Sequence, residues 1–213
     1  MNAGKINFFN HCCPPLKRMN FAGGYKDLKE KDEKYIFDRT LDLCASFYKM
    51  PDFKEESVEI NGEKLKLTTF SDGFYMLKSS NDEVMATMKT LDRTEKTSKC
   101  DNDFYSENKG AVEISLIFSK GKGMGSFLVK EAVKRSVEKG YEGRIILDAG
   151  IINRSIGSPI PFYYKIGFKA YDTEAQKCIE KKMRDYDETK TFVQGEKEIP
   201  MYLAPEKIKD FLD

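Results

Sequence analysis

The spacing of hydrophobic and polar residues changes several times along the chain, and each change marks a predicted element. From about Asp32 to Lys49, apolar side chains recur at the helical period, which predicts an amphipathic helix that ends before Pro51. Two short apolar runs follow, Val58 to Ile60 and Leu65 to Phe70. The Asn61-Gly62 pair between them tolerates positive φ, so the two runs are predicted to form a tight hairpin.

A second pair of runs, Phe74 to Leu77 and Val84 to Leu91, predicts another hairpin through the polar segment Ser79 to Asp82. Together the four runs predict an antiparallel meander. The stretch from Asp92 to Lys109 is rich in Thr, Lys, Asp and Asn, which predicts a long loop. Loops of that length in compact domains are commonly functional, so this one is expected to border a substrate site.

After Gly110 the pattern becomes that of a strand, a helix and a second strand. Val112 to Phe118 predicts a strand, Gly121 to Gly125 a turn, Ser126 to Lys139 an amphipathic helix, and Arg144 to Ala149 a further strand. A unit of this size predicts two parallel strands with a right-handed crossover.

The last third combines short elements with a charged helical segment. The pair Ser158-Pro159 is typical of a helix start, which predicts a short helix that ends before Gly167. Phe168 to Tyr171 and Ile199 to Leu203 are predicted strands. Between them, apolar residues from Ala175 to Tyr186 keep a helical period, which predicts an inserted helix.

The composition is that of one globular domain with a charged surface. Hydrophobic residues make up 40% of the 213 residues, and Lys and Arg (36) nearly balance Asp and Glu (35). A net charge of +1 supplies no overall field for a nucleic-acid backbone or an anionic membrane. No apolar run approaches the roughly 18 residues of a membrane span. We therefore expect an N-terminal arm over residues 1–30, one domain over 31–213, and neither nucleic acid nor membrane as a partner.

Cysteine and histidine usage disfavours several chemistries. Five cysteines, with Cys12 and Cys13 adjacent, make a poor disulfide framework, which favours the reducing cytoplasm. His11 is the only histidine, and no second cysteine pair at ligand spacing completes a zinc site, so no metal is expected. A single histidine also disfavours Ser-His-Asp and Cys-His catalysis. The first nine residues lack the charged and apolar regions of a secretory signal.

The glycine-rich turn from Lys120 to Ser126 is the clearest candidate for a binding site. It joins a strand to a helix, where bare backbone N–H groups and a helix N-terminus together attract anions. The spacing matches neither the nucleotide pattern G-x-x-x-x-G-K-[ST] nor the dinucleotide pattern G-x-G-x-x-G. Two interpretations stay open from these residues alone: an ordinary tight turn, or a pyrophosphate-binding loop of a third kind.

Three motifs follow one another between Lys120 and Phe168. Lys120 to Gly125 approximates [QR]-x-x-G-x-[GA], with lysine where glutamine or arginine is usual. Leu147-x-Ala149-x-x-x-Asn153 approximates L-x-V-x-x-x-N, and Phe162 to Phe168 has the form F-Y-x-K-x-G-F. In this order and near this spacing, the motifs resemble those of the GNAT superfamily of acetyl-CoA-dependent N-acetyltransferases.

Two spacings depart from the family pattern. The loop before Lys120 is shorter than usual, so the sequence leaves open which of Leu116, Ile117 and Phe118 faces the cofactor. The segment from Asn153 to Tyr163 is longer than the family norm, which displaces Asn153 from its usual spacing.

The resemblance implies a mixed α+β fold with a mostly antiparallel central sheet, flanking helices and two neighbouring parallel strands that splay apart. It implies acetyl-CoA as co-substrate, with pantetheine between the splayed strands and pyrophosphate on the N–H groups of Lys122 to Ser126. Tyr163 matches the family's general acid for the leaving thiolate, and Glu113 is placed to accept the amine proton. The implied cofactor-binding residues are Leu116, Ile117, Phe118, Lys120, Gly121, Lys122, Gly123, Met124, Gly125, Ser126 and Asn153.

Other interpretations stay open. The chain could bind CoA or an acyl-CoA without catalysis, and an acceptor could be a small-molecule or a protein amine. Asp148 either points to solvent or meets that amine, and the strand from Ile199 to Leu203 could pair two copies into a homodimer. A competing hypothesis, which the near-zero net charge disfavours, is a nucleic-acid patch. That patch would comprise Lys120, Lys122, Lys130, Lys134 and Arg135.

Overall fold

The structure is a computed structural model that describes residues 52–94, 102–106, 110–150, 158–187, 192 and 198–213. The predicted arm over 1–30, the predicted helix over 32–49 and the candidate ligand Asn153 lie outside these residues. The described strands are β1 (Phe53–Ile60), β2 (Glu63–Phe70), β3 (Phe74–Lys78), β4 (Val84–Arg93), β5 (Ala111–Ser119), β6 (Ile145–Ala149), β7 (Phe168–Ala170) and β8 (Ile199–Leu203). The described helices are α1 (Asp103–Ser106), α2 (Met124–Glu138), α3 (Ile160–Lys165), α4 (Thr173–Arg184) and α5 (Pro205–Leu212).

These strands form one eight-stranded sheet with the order β1-β2-β3-β4-β5-β6-β8-β7. Neighbouring strands are antiparallel except β5 and β6, which are parallel and connected through α2. The predicted fold class, mixed α+β with a mostly antiparallel sheet, one parallel pair and flanking helices, is confirmed. The architecture is consistent with the GNAT fold that the resemblance implies.

Both predicted hairpins form. In the first, Ile60 pairs with Glu63, which leaves Asn61 and Gly62 as a two-residue loop. Their φ angles are 52° and 83°, and a type I′ turn requires positive φ at both positions. β1 begins at Phe53, earlier than predicted. The prediction missed its first residues because most of the strand is exposed and has no alternating apolar pattern.

The strand–helix–strand unit also forms, with small shifts at its helix. α2 begins at Met124, so Gly125 lies in the first helical turn and Gly123 is the N-cap residue. Gly123 has a φ of 83°, a left-handed conformation in which a glycine carries no steric penalty. One side of α2 is buried against the sheet in the main hydrophobic core, with Leu128, Val129 and Ala132 fully buried.

The segment predicted as one long loop contains structure. β4 continues to Arg93, and Asp103–Ser106 forms the short helix α1. Tyr105 of this helix is buried in a second cluster with Ala111 and Ile146, on the opposite face of the sheet from the main core. Two adjacent aromatics, Phe104 and Tyr105, in a polar stretch produce no period, so the pattern of apolar residues did not predict this helix.

The C-terminal helix α5 was not predicted either. It starts at Pro205; proline lacks a backbone N–H, which costs nothing in the first turn because an N–H there would have no intrahelical partner. Its Ile208 is buried, and a Cβ on Gly143 would come within 2.4 Å of the Ile208 side chain. The helix therefore packs directly on the turn that leads into β6.

Candidate active site

Pairing between the parallel strands β5 and β6 stops partway along. It covers Val112 with Ile145, Glu113 with Ile146 and Ile114 with Leu147. β5 then continues to Ser119 along β4, while the last residues of β6 pair with β8. From Ser115 onward, the edge of β5 that faces β6 is therefore outside the ladder between them.

A bulge in β5 lies at the residue where this pairing ends. On the β4 side, Thr90 pairs with Ile114 and Lys89 with Leu116, so Ser115 has no directly opposite residue. Its hydroxyl donates to the Lys89 carbonyl at 3.2 Å. A bulge bends its strand and increases its twist, which gives a local reason for β5 to diverge from β6 here.

The glycine turn follows directly from the part of β5 that lies outside its ladder with β6. The Lys120 N–H is used, donating to the Met85 carbonyl at 2.9 Å. By contrast, four N–H groups make no hydrogen bond within the described part of the chain. A row of such donors at the start of a helix is a favourable site for an anion. The four belong to Lys122, Gly123, Gly125 and Ser126.

Protein neighbours surround the three glycines of this turn closely. A Cβ on Gly121 would lie 2.6 Å from Met124 Sδ, and one on Gly125 would lie 3.2 Å from Phe162 Cζ. A Cβ on Gly123 would meet the Asn61 amide nitrogen at 2.7 Å. Packing alone therefore requires small residues here, as the tight-turn interpretation expects. The contact with Phe162 also brings the first and third motifs together in space.

The lysines of the turn differ in their surroundings. Lys120 Nζ lies 2.8 Å from Glu83 Oε1, and their side chains are 32% and 58% exposed. The hydrogen bond from Lys120 lowers the pKa of Glu83. Lys122 is exposed, and its carbonyl accepts a hydrogen bond from the Asn61 side chain at 2.8 Å. No periodicity or motif links Glu83 or Asn61 to this turn, so neither residue was predicted to lie beside it.

The three candidate cofactor residues of β5 alternate between the two faces of the sheet. Ile117 pairs with Met88, and both are fully buried in the main core. Leu116 and Phe118 lie on the opposite face and are also buried. A ligand along this edge would therefore meet the β5 backbone between side chains that point alternately up and down. The fourth residue whose role was open, Asn153, lies outside the described residues.

Tyr163, the candidate general acid, lies inside the main core. Its ring centroid is 5.3 Å from that of Phe162 and 5.4 Å from that of Phe168. The side chain is fully buried, and its hydroxyl has no hydrogen-bond partner in the described part of the chain. Burial raises the pKa of this hydroxyl far above its ordinary value. The phenol therefore stays protonated at neutral pH, and its hydroxyl can donate or accept a hydrogen bond.

Glu113, the candidate proton acceptor, is buried and paired with a cation. Its Oε2 lies 2.5 Å from Arg93 Nε, across the β4–β5 ladder. Glu113 and Asp148 lie on the same face of the sheet, because Glu113 pairs with Ile146 and Asp148 follows two residues later. Asp148 is half-buried at the end of β6. The two carboxylates thus flank the place where the strands separate.

The cations of the competing nucleic-acid patch are largely matched by acids. Lys134 lies 2.6 Å from Glu131, and Arg135 makes a two-fold contact with Asp92 at 2.9 and 3.1 Å. With Lys120 paired to Glu83, three of these five cations have an acidic partner. Such pairing lowers the net positive charge of this surface, which weakens the case for a nucleic-acid patch.

Two further properties concern the described ranges as a whole. No three His, Cys, Asp or Glu side chains in them are grouped to hold a metal ion. None of the helices there has the length and apolar character needed to cross a membrane.

Comparison with known proteins gives one distant structural similarity. No protein-family model and no curated protein matches the chain. The solved structure of Chaetomium thermophilum Naa20 in complex with a bisubstrate analogue is similar over 64% of this chain and 68% of its own. The identity is 11% and the TM-score is 0.39. A similarity at this level assigns no activity, so the chain's own residues carry what is proposed below.

Proposed function

We propose that this protein is an N-acetyltransferase that moves an acetyl group from acetyl-CoA to a primary amine. One observation carries the proposal: the part of β5 beyond its ladder with β6 runs straight into a turn in which four N–H groups make no hydrogen bond within the described residues. An extended pantetheine arm needs backbone partners along a strand edge, and a pyrophosphate needs donors at its end. The chain offers both in sequence, and in the order that CoA requires.

The cofactor-binding residues divide by the part of CoA they would hold. The backbone of Leu116, Ile117 and Phe118 would pair with pantetheine. Pyrophosphate would accept hydrogen bonds from the turn, with Lys122 and Lys120 adding positive charge, the latter by exchanging Glu83 for phosphate. The bound thioester supplies an activated acetyl group. The turn would use Lys120, Gly121, Lys122, Gly123, Met124, Gly125 and Ser126, and Asn153 stays a proposed contact.

In the proposed reaction, a neutral amine attacks the thioester carbonyl, the new C–N bond forms and the C–S bond breaks. Tyr163 donates its proton to the departing thiolate, and Glu113 accepts the amine proton directly or through water. An unpartnered buried hydroxyl costs about 1–3 kcal/mol, and the sulfur of a bound thioester would offer the Tyr163 hydroxyl a partner. Arg93 would fix the orientation of the Glu113 carboxylate through their ion pair.

A second candidate function is binding of CoA or acyl-CoA without catalysis. Two observations favour it: Tyr163 has no exposed surface, and Arg93 already occupies an oxygen of Glu113. The two candidates share the CoA site and differ in turnover.

The test of the shared site uses Ser126, a half-buried residue of the first turn of α2. Ser126→Glu places a carboxylate where pyrophosphate would bind, but an acid at a helix N-terminus favours the helix itself. Calorimetric titration of acetyl-CoA is expected to show micromolar binding by wild type and at least tenfold weaker binding by Ser126→Glu. The unfolding temperature should not fall.

Ser126→Gln is the matched control, because it has the same size without the charge. It should retain most of the affinity. Equal binding by all three proteins would remove the turn from the site, and no binding by wild type would overturn the proposed function. If wild type binds, turnover over a panel of amines then separates the enzyme from the non-catalytic binder.

A further inference from the structure

The turn between β1 and β2 contacts the glycine turn, although the two are 61 residues apart in sequence. Asn61 Nδ2 donates to the Lys122 carbonyl at 2.8 Å. Because that partner is a carbonyl, the contacting atom of Asn61 must be its amide nitrogen. Ile60 takes part as well, since a Cβ on Gly123 would lie 3.4 Å from Ile60 Cγ2.

This hydrogen bond determines which way the next peptide N–H points. The Lys122 carbonyl and the Gly123 N–H belong to one trans peptide unit, in which the two groups point in opposite directions. Holding the carbonyl toward Asn61 therefore turns the Gly123 N–H away from Asn61. That N–H is one of the four unpaired donors at the start of α2.

We propose that Asn61 is a positioning residue for the pyrophosphate-binding turn: it orients the Lys122–Gly123 peptide so that its N–H is available to a phosphate. This inference rests on the proposed function and extends it to a residue outside the family motifs. Asn61 would act through the backbone of the turn, without touching the acetyl group or the amine.

The support of Asn61 is suited to this role. Its backbone has a φ of 52° in a two-residue loop closed by the Ile60–Glu63 pair, and Ile60 is anchored in the main core. The side-chain amide of Asn61 is therefore held in position before any ligand binds. Donors that are already oriented lose less entropy when the ligand binds, so a correctly oriented turn should have a higher affinity for the pyrophosphate.

Two substitutions test Asn61 while keeping the turn. Asn61→Gly deletes the donor and tolerates the positive φ, and Asn61→Asp replaces the donor with an acceptor of the same shape. Asn81→Gly and Asn81→Asp are the matched controls. Asn81 lies in the other hairpin turn, and its side chain makes no hydrogen bond within the described residues.

Binding and turnover are measured with two donors, acetyl-CoA and S-acetylpantetheine, which lacks the pyrophosphate. Asn61→Gly should raise the Kd for acetyl-CoA about 3- to 10-fold, the loss of one hydrogen bond. Asn61→Asp should raise it further, because a carboxylate also repels the Lys122 carbonyl and the phosphates. Turnover at saturating acetyl-CoA, the KM of the amine and kcat/KM with S-acetylpantetheine should not change, and the Asn81 variants should match wild type.

Each other outcome counts against the proposal. Wild-type affinity in both Asn61 variants would reduce Asn61 to a turn residue. Equal weakening of both donors would mean that the substitution disturbs the fold or the pantetheine edge rather than the phosphate donors. Failure of wild type to bind acetyl-CoA is seen without any variant, and it would overturn the proposed function together with this inference.

Discussion

Two buried tyrosines on opposite faces of the sheet differ in the hydrogen bonding of their hydroxyl groups. Tyr105 is 2% exposed, and its hydroxyl donates to the Leu203 carbonyl at 2.7 Å and accepts from the Ile145 N–H at 3.1 Å. Tyr163 is 0% exposed, and its hydroxyl has no partner in the described part of the chain. The Tyr105 hydroxyl links β6 to β8, whereas the Tyr163 hydroxyl makes no hydrogen bond within the described residues.

The difference separates a residue that stabilises the fold from one that the fold would not require. At position 105, phenylalanine would leave two buried backbone groups with fewer partners. At position 163, phenylalanine would keep the ring packing against Phe162 and Phe168 and remove an unsatisfied polar atom. The presence of tyrosine at position 163 is therefore explained if its hydroxyl takes part in a reaction.

The largest expected effect is on turnover in Tyr163→Phe. Loss of a general acid lowers rate by about 10²- to 10⁴-fold, so kcat should fall by at least the lower figure. The affinity for acetyl-CoA should change little. Stability at neutral pH should be equal or higher, because the variant removes an orphaned hydroxyl. Steady-state kinetics, calorimetric titration and urea unfolding measure the three quantities.

Tyr164→Phe is the control for this prediction, since Tyr164 is the half-buried neighbour on the same helix. It should retain near wild-type turnover. If Tyr164→Phe loses activity and Tyr163→Phe does not, the acid role belongs to Tyr164. If neither substitution affects turnover, the reaction does not use a tyrosine of α3.

A smaller effect of the opposite kind is expected for Tyr105→Phe. Removing the hydroxyl should lower the free energy of unfolding by about 1–3 kcal/mol, the cost of leaving buried groups unpaired. For a protein of this size, each kcal/mol corresponds to about 2–4 °C in Tm. Turnover by the folded variant should match wild type. A Tm within error of wild type would mean that other contacts join β6 to β8. The Tyr105 hydroxyl would then not be needed for the stability of the fold.

Local patterns predicted the elements well where the period is unbroken. The hairpin at Asn61-Gly62 and the strand–helix–strand unit around α2 both formed, because turn residues and alternation act within a few positions. α1 and α5 were missed because both are short: α1 has only the adjacent pair Phe104 and Tyr105, and the apolar side chains of α5, Ile208, Phe211 and Leu212, span little more than one turn.

Contacts between distant segments could not be predicted. Arg93 reaches Glu113 through the register of β4 against β5, and Glu83 reaches Lys120 through the β3–β4 turn. The link from Asn61 to Lys122 spans 61 residues. The motifs indicated which residues belong to the turn, but only the packing of the hairpin against it shows what holds the turn in place.

The smallest expected effect is a difference in alkaline stability between wild type and Tyr163→Phe. Burial raises the folded-state pKa of the Tyr163 hydroxyl, whereas the unfolded chain has the ordinary value of about 10. A raised pKa contributes stability that is fully present below the unfolded pKa and is lost as pH rises above it. Tyr75, whose pKa burial raises to about 12, is present in both proteins and cancels in the comparison.

Between pH 10 and pH 11, wild type should therefore lose up to about 1.4 kcal/mol more than Tyr163→Phe. Urea unfolding of both proteins at pH 8, 10 and 11 measures this difference directly. If wild type and Tyr163→Phe lose stability equally as pH rises, the Tyr163 hydroxyl contacts water or another partner in solution. It would then not be isolated, and it would no longer differ from the hydrogen-bonded hydroxyl of Tyr105. The raised pKa keeps the hydroxyl protonated in the unliganded protein but also makes it a weaker acid, so donation to a thiolate would require ligand binding to lower that pKa.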